Sequence, residues 1–275
     1  MHIVSTIPQA RALFEVLPRP LGFIPTMGAL HEGHLALVAR ARDESAAVGA
    51  SVFVNPTQFA ANEDLERYPR DLQGDCVKLQ RGGVDVIFAP DAQAMYPDGF
   101  SSFVEVGEMG TRFEGAIRPT HFRGVATVVL KLLNIVRPDV LYLGQKDAQQ
   151  TAIVRRALRD LDLPVAVAIV PTEREPDGLA RSSRNVYLTP EERAAAPTLH
   201  RALQALRLAM AGGRAKADAI AAARALLSPL AELDYLDVVD ADSFEPIEEL
   251  RPPAFVIGAA RFGATRLLDN LWIDG

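Results

Sequence analysis

Residues 22–37, GFIPTMGALHEGHLAL, narrow the folds open to this chain more than any other segment. Gly22, Phe23 and Ile24 are apolar and strand-like, and Pro25 bars a helix there. Thr26, Met27, Gly28 and Ala29 make a small-residue turn, after which Leu35, Leu37, Val38 and Ala41 recur at helical spacing. A strand, a tight turn and a helix start are therefore expected in succession. Unpaired N–H groups and the helix dipole favour an anion at such a start. His31 and His34 stand three residues apart, share a helix face and have N–H groups to offer phosphate oxygens. The same pair is also compatible with a polar helix start or with zinc. Catalytic zinc usually takes three protein ligands, however, and His2, His121 and His200 follow no ligand pattern, so no metal-ligating set is expected.

The pattern continues as alternating strands and helices. A short helix is expected over 2–17, capped by Ser5 or Thr6, and a buried strand at 51–54 that runs into Asn55-Pro56-Thr57-Gln58. Ligands of open parallel sheets sit beyond the carboxyl ends of strands, which places Asn55 and Gln58 for neutral polar contacts; Asn-Pro is equally a plain turn signal. A surface loop is expected at 62–68, a helix at 72–80 and a strand at 84–88. The segment 91–120 reads as a long functional loop with a short strand at 103–106. In and just after it, Glu114, Arg118 and His121 offer charges for a ligand or for surface pairing.

A buried helix is expected over 123–136 and a strand over 140–143, followed by Gly144-Gln145-Lys146-Asp147-Ala148-Gln149-Gln150. This is a second strand-to-helix turn. Lys146 is suited to neutralising phosphate and Asp147 to accepting from a ribose hydroxyl, with Gln150 one helical turn beyond Lys146. A helix at 151–161 leads to 165–170, apolar at every position and expected as a central parallel strand. Arg181-Ser182-Ser183-Arg184 then reads as a flexible anion-binding loop or, alternatively, a solvated one.

Past Thr189-Pro190, a helix start signal, the chain turns to two helices broken at Gly212-Gly213 and then to strands near 235–240, 255–260 and 265–272. The expected fold class is therefore α/β. A Rossmann-like parallel-sheet domain over 1–184 would be followed by a smaller α+β C-terminal domain over 185–275.

Net charge is −6, from 29 basic and 35 acidic residues, so nucleic acid is not an expected partner. The single cysteine, Cys76, excludes an internal disulfide framework and fits a reducing compartment. The start lacks a secretory pattern and the longest apolar stretch, 163–171, is too short to span a bilayer. A soluble, cytoplasmic protein with no membrane partner is expected.

The His-x-Gly-His turn and the late basic, Ser-rich loop resemble the two signatures of the adenylyl-transferring superfamily that includes class I aminoacyl-tRNA synthetases. More narrowly, PTMGALHEGHLALV, VFVNPTQF, RPTHFRGV, LGQKDAQQ and DGLARSSRNVYL together resemble the pantoate–β-alanine ligase family, continuously from about Gly22 to Leu188. The resemblance implies ATP, Mg²⁺, pantoate and β-alanine as ligands, a pantoyl-adenylate intermediate, and a homodimer. It implies that His31 and His34 meet the triphosphate, with Gly28 beside them, and that Lys146 neutralises it. Ser182, Ser183 and Arg184 would close over the phosphates, and Gly144 and Asp147 would hold the ribose. Pro25, Thr26 and Met27 would line the boundary between ATP and pantoate. Gln58 and Gln150 would bind pantoate oxygens with Asn55 beside them, and the second domain would act as a lid. One position departs from the family: Arg181 stands where an apolar Met or Leu is usual.

Two other classes stay open at this point. A nucleotidyltransferase that keeps the nucleotide in its product shares the His turn but does not call for Asn55, Gln58 and Gln150 around a short hydroxy acid. A non-catalytic nucleotide-binding regulator is the other, against which His31, His34, Lys146 and Ser182 argue. The acidic balance disfavours tRNA charging.

Overall fold

The computed structural model describes residues 1–60, 63 and 65–274. It divides into two compact units, Met1–Gly144 with Ile153–Val170, and Gln145–Ala152 with Pro171–Gly275. Residues 171–184, expected with the first domain, thus group with the second unit.

The first unit carries a six-stranded parallel sheet of β1 (His2–Val4), β2 (Leu21–Thr26), β3 (Ala47–Val52), β4 (Val86–Phe88), β5 (Val140–Gly144) and β6 (Ala166–Val170). Their spatial order is β1-β4-β3-β2-β5-β6. The chain builds outward from β2 in one direction through β3 and β4, then crosses to β5 and β6 on the other side. The switch point therefore lies between β2 and β5, where ligands of doubly wound sheets bind. The pairing of β2 with β5 spans only Gly22↔Val140 and Phe23↔Leu141, although β2 runs on to Thr26 and β5 to Gly144.

Alternate residues of β2 serve opposite faces. Leu21 and Phe23 join one buried cluster with Ala10 and Phe14 of α1 (Ile7–Glu15) and the apolar face of α6 (His121–Val136). Ile24 joins another with Leu37, Val38 and Ala41 of α2 (Glu32–Glu44) and Cys76 and Leu79 of α3 (Leu72–Arg81). Short α4 (Ala92–Met95) and α5 (Glu114–Ile117) interrupt the long connection before α6, and α7 (Ala148–Asp160) joins β5 to β6.

Five expectations need correction. Residues 2–4, expected within the entry helix, form edge strand β1, paired parallel with β4, and the helix starts only at Ile7 behind its Thr6 cap. The 165–170 strand is not central but the sheet's edge, with Ala166 exposed. It is apolar throughout because Val165, Val167 and Ile169 pack on one cluster and Ala168 and Val170 on the other. Residues 103–106 form no strand; the Val104 N–H donates instead to Thr127 Oγ1 of α6 at 2.9 Å. β3 spans Ala47–Val52 rather than 51–54, beginning early because Ala47, Gly49 and Ala50, residues of weak strand signal, surround Val48. Of the loop expected at 62–68, Asn62 and Asp64 lie outside the described residues, and Tyr68 is buried against Phe59 rather than exposed.

The second unit has α8 (Pro190–Ala195), α9 (Pro197–Ala211) and α10 (Lys216–Arg224) before an antiparallel sheet of β7 (Ala231–Asp240), β8 (Ala254–Phe262) and β9 (Thr265–Ile273). Strand β8 is central. Thr189 and Glu192 cap α8 reciprocally, the Thr189 N–H donating to Glu192 Oε2 at 2.9 Å. Pro197 starts α9 afresh, a break additional to the expected one at Gly212-Gly213.

Candidate active site

The turn after β2 is fixed from several sides. Thr26 Oγ1 donates to Ser51 O at 2.7 Å. Gly28 and Ala29 both have positive φ, 83° and 51°. A Cβ on Gly28 would lie 2.9 Å from Asp75 Oδ2, so both conformation and space require glycine there. The buried Asp75 carboxylate of α3 accepts the N–H groups of Ala29 and Leu30, each at 2.8 Å. Lys78 Nζ, one turn along α3, donates to Leu30 O at 2.7 Å.

That turn delivers two histidines to the start of α2. His31 is not a helical residue sharing a face with His34, as the spacing implies; it is the N-cap. His31 Nδ1 accepts the Gly33 N–H at 3.2 Å, and His34 Nδ1 accepts the His31 N–H at 3.3 Å. This is a capping box in which imidazole nitrogens replace the usual oxygens. It also fixes both tautomers. With each Nδ1 accepting, a neutral ring carries its hydrogen on Nε2, so each presents an N–H donor from that edge. The two ring centroids are 4.2 Å apart. Paired donors at the N-terminus of a 13-residue helix suit a polyanion.

The turn after β3 is equally constrained. Asn55 caps the 3-10 turn Pro56–Gln58 and is 1% exposed. Its Oδ1 accepts from Tyr96 OH at 2.8 Å, Thr57 Oγ1 at 2.9 Å and Thr57 N at 3.3 Å. Its Nδ2 donates to Gln58 Oε1 at 3.0 Å and to Gly124 O at 3.2 Å. Both amide hydrogens of Asn55 are thus used inside the protein, which leaves no donor for a ligand. Gln58 Nε2 reaches Met27 Sδ at 3.0 Å, so the structure brings Met27, Asn55 and Gln58 together.

Arg118 and His121 neither pair on the surface nor stand apart. His121 Nδ1 lies 2.9 Å and Arg118 Nη2 3.2 Å from the Gln58 carbonyl oxygen. Arg118 is also forked onto Glu63, with Nε–Oε1 at 2.7 Å. Burial, reinforced by the neighbouring Arg118 charge, pushes the His121 imidazole down to about 4, against smaller opposing effects of the Gln58 carbonyl, Glu114 and Glu63.

The remaining expected residues, apart from Gly144 at the end of β5, belong to the second unit. Lys146 and Asp147 lie in the 3-10 turn Gln145–Asp147, with Lys146 Nζ 3.3 Å from Asp147 Oδ1. Gln150 is in the first turn of α7 and half-buried. The carbonyls of Gln145 and Lys146 accept both Nδ2 hydrogens of Asn270, at 2.9 and 2.8 Å. Asn270 is held in turn: its N–H donates to Asp269 Oδ1 at 2.7 Å and its carbonyl accepts from Arg174 Nη2 at 3.0 Å. Arg174 forks onto the buried Asp269, which also lies 3.2 Å from His200 Nδ1.

The Ser-rich segment forms a 3-10 turn. Ser182 caps the 3-10 turn Ser183–Tyr187 by accepting the Arg184 N–H at 3.3 Å, and keeps its hydroxyl hydrogen to donate. Arg181 pairs with Glu175 at 3.0 Å. The cation expected to depart from the family pattern is thus met by a carboxylate six residues earlier.

Sequence reasoning missed Asp75, Tyr96 and Asn270. Asp75 and Tyr96 sit in ordinary helix and loop sequence, and Asn270 lies in a C-terminal strand without a motif. The one available signal was Asp269 and Asn270 side by side between Leu267-Leu268 and Leu271-Trp272 in β9.

A family model described as pantoate-beta-alanine ligase matches residues 2–272. A curated relative from Roseiflexus sp. (strain RS-1), named pantothenate synthetase, is 52% identical over 277 aligned residues, covering 100% of both chains. The crystal structure of pantothenate synthetase from Thermus thermophilus superposes with a TM-score of 0.95 at 50% identity, covering 100% of both chains. A pantoate-beta-alanine ligase from Francisella tularensis, complexed with beta-gamma ATP and beta-alanine, matches with a TM-score of 0.82 at 35% identity, covering 99% of this chain and 97% of that one.

Proposed function

The chain belongs to the pantoate–β-alanine ligase family, and on that premise we propose how its residues divide the work. It is an ATP-dependent ligase that joins pantoate to β-alanine to give pantothenate, AMP and pyrophosphate. A carboxylate is a poor acyl donor because its leaving group would be an oxide. We therefore take the reaction in two steps. A pantoate carboxylate oxygen attacks the α-phosphorus of ATP, the bond to the β-phosphate breaks, and pyrophosphate leaves. The β-alanine amine then attacks the acyl carbon of the pantoyl adenylate, AMP leaves with the C–O electrons, and the amine proton is lost. No residue is assigned as the base for that loss.

The first transition state gathers charge on phosphate oxygens, so positioned donors carry most of the catalysis. The observation that carries this reading is the pair of imidazoles locked as Nε2–H donors at the head of α2. His31 and His34 meet the triphosphate there, with Gly28 allowing its close approach. Lys146, Ser182, Ser183 and Arg184 act on the same phosphates, and Gly144 and Asp147 hold the ribose. Pro25, Thr26 and Met27 line the boundary between nucleotide and acid. Gln58 and Gln150 bind pantoate oxygens, while Asn55 acts beside them. The C-terminal domain, taken functionally as 185–275, serves as the lid that shields the anhydride from water.

Mg²⁺ accompanies ATP in this reading. Among the described residues no group of three or more His, Cys, Asp or Glu side chains is placed to hold a metal ion. Mg²⁺ would be held chiefly by the nucleotide's phosphate oxygens, with no more than one or two protein carboxylates, and would neutralise phosphate charge. No helix among the described residues is long and apolar enough to cross a membrane, and a cytoplasmic homodimer is proposed from the family resemblance and the lone, buried Cys76 thiol.

Pantoate labelled with ¹⁸O in its carboxylate tests the chemistry. The two-step route transfers one labelled oxygen to AMP. Label retained wholly in pantothenate and water, with unlabelled AMP, would refute it.

A further inference from the structure

We infer that the Gln58 amide is locked as a hydrogen-bond donor toward the acid substrate, and that Asn55, Tyr96, Arg118 and His121 are positioning residues that hold it so. The inference rests on the reading of Gln58 as a pantoate ligand and goes beyond it in fixing which end of the amide faces the substrate.

An amide side chain can be turned either way unless groups of fixed polarity decide the matter. Here two backbone groups do. The Thr57 N–H can only donate, so the Asn55 atom 3.3 Å from it is the oxygen. The Gly124 carbonyl can only accept, so the Asn55 atom 3.2 Å from it is the nitrogen. The second Nδ2 hydrogen of Asn55 then points at Gln58 from 3.0 Å, which makes the facing Gln58 atom the oxygen. Gln58 Nε2 is left at the other end. One of its hydrogens meets Met27 Sδ at 3.0 Å; among the described residues the other meets no partner. Gln58 is only 7% exposed, so that hydrogen is a nearly buried donor that calls for an acceptor, such as a carboxylate or hydroxyl oxygen of a short hydroxy acid.

The main chain beneath the amide is clamped by the same logic. Arg118 cannot accept, so His121 Nε2, 3.2 Å from Arg118 Nη1, is the acceptor and Nδ1 carries the hydrogen. His121 Nδ1–H and Arg118 Nη2–H therefore both donate to Gln58 O. Gly124 permits the close approach: a Cβ there would lie 2.3 Å from Thr57 O and 2.7 Å from Gln58 N. Tyr96 OH completes the set by donating to Asn55 Oδ1 at 2.8 Å.

A double-mutant cycle separates positioning from direct contact. KM for pantoate, KM for ATP and kcat are measured for Q58A, N55A, Y96F and the N55A/Q58A pair, with thermal unfolding confirming that each variant folds. Y96F keeps the ring, and with it the packing, and removes only the hydroxyl. Y96F and N55A should each raise KM for pantoate about tenfold, the scale of one hydrogen bond, with KM for ATP changed less than about twofold. The pair should be no worse than Q58A alone, because Asn55 acts through Gln58. Additive losses, or equal rises in both KM values, or no change in KM for pantoate, would overturn the proposal. If Q58A itself leaves KM for pantoate unaltered, the fault lies in the reading of Gln58 as a substrate residue, not in the relay.

Discussion

His34 accepts the backbone N–H of His31 through Nδ1 at 3.3 Å, while His31 accepts the N–H of Gly33 through its own Nδ1 at 3.2 Å. The helix cap and the orientation of two Nε2–H donors are thus one device. Removing either ring removes a cap bond and a donor together, and the two losses differ greatly in size.

His34→Ala should lower kcat by roughly 10²- to 10³-fold, as loss of one donor to a developing oxyanion does. Loss of the cap should cost only about 1 kcal/mol of stability. Steady-state kinetics beside urea unfolding checks the disproportion; a fall in kcat no larger than the stability loss explains would place the ring outside the chemistry.

Asp75 acts one layer back. Its two oxygens accept from Ala29 and Leu30, and an Asn at 75 offers one oxygen in place of two. Asp75→Asn should destabilise the fold by about 1–3 kcal/mol, the cost of leaving a buried group unsatisfied, and lower kcat although residue 75 itself has no role in the reaction. The urea midpoint and kcat should fall together.

Stability should depend on pH through His121. Its pKa is depressed from 6.5 to about 4, so between those values the unfolded chain takes up a proton that the folded chain refuses. The stabilisation is fully present above about pH 6.5 and is lost as pH falls through about 4, amounting to about 3 kcal/mol. Arg118, Glu114 and Glu63 are the charges around the ring. In His121→Asn the urea midpoint should fall less steeply over this interval than in the native protein; parallel curves would contradict the assignment.

Asn270 supports the Lys146 turn from β9. Asn270→Leu deprives two carbonyls of their donor and should raise KM for ATP about tenfold, with KM for pantoate changed less than about twofold. Equal changes in both would assign Asn270 to general stability.

The sheet was legible in the sequence wherever apolar runs met turn residues, and the family could be read from five motifs. Edge and centre were not: β6 is apolar because helices cover both its faces, a fact of packing that an apolar run cannot express. His31 and His34 were legible as a pair but not as a reciprocal cap, because spacing alone does not say where a helix begins. Asn55 looked like a ligand-binding residue because its neighbour Gln58 is placed like one, and only hydrogen-bond accounting shows its hydrogens spent at home. Asp75 left no trace and Asn270 only the polar pair it forms with Asp269, since each acts on backbone groups far away in sequence. Such contacts leave no local pattern that a reader of one chain can see.

The most direct test of the account is pantoate-dependent exchange of labelled pyrophosphate into ATP, with Mg²⁺ present and β-alanine absent. The two-step mechanism predicts exchange that requires pantoate and is slowed by roughly 10²- to 10³-fold in His34→Ala. Absence of exchange in protein that binds ATP and still makes pantothenate once β-alanine is added would contradict it.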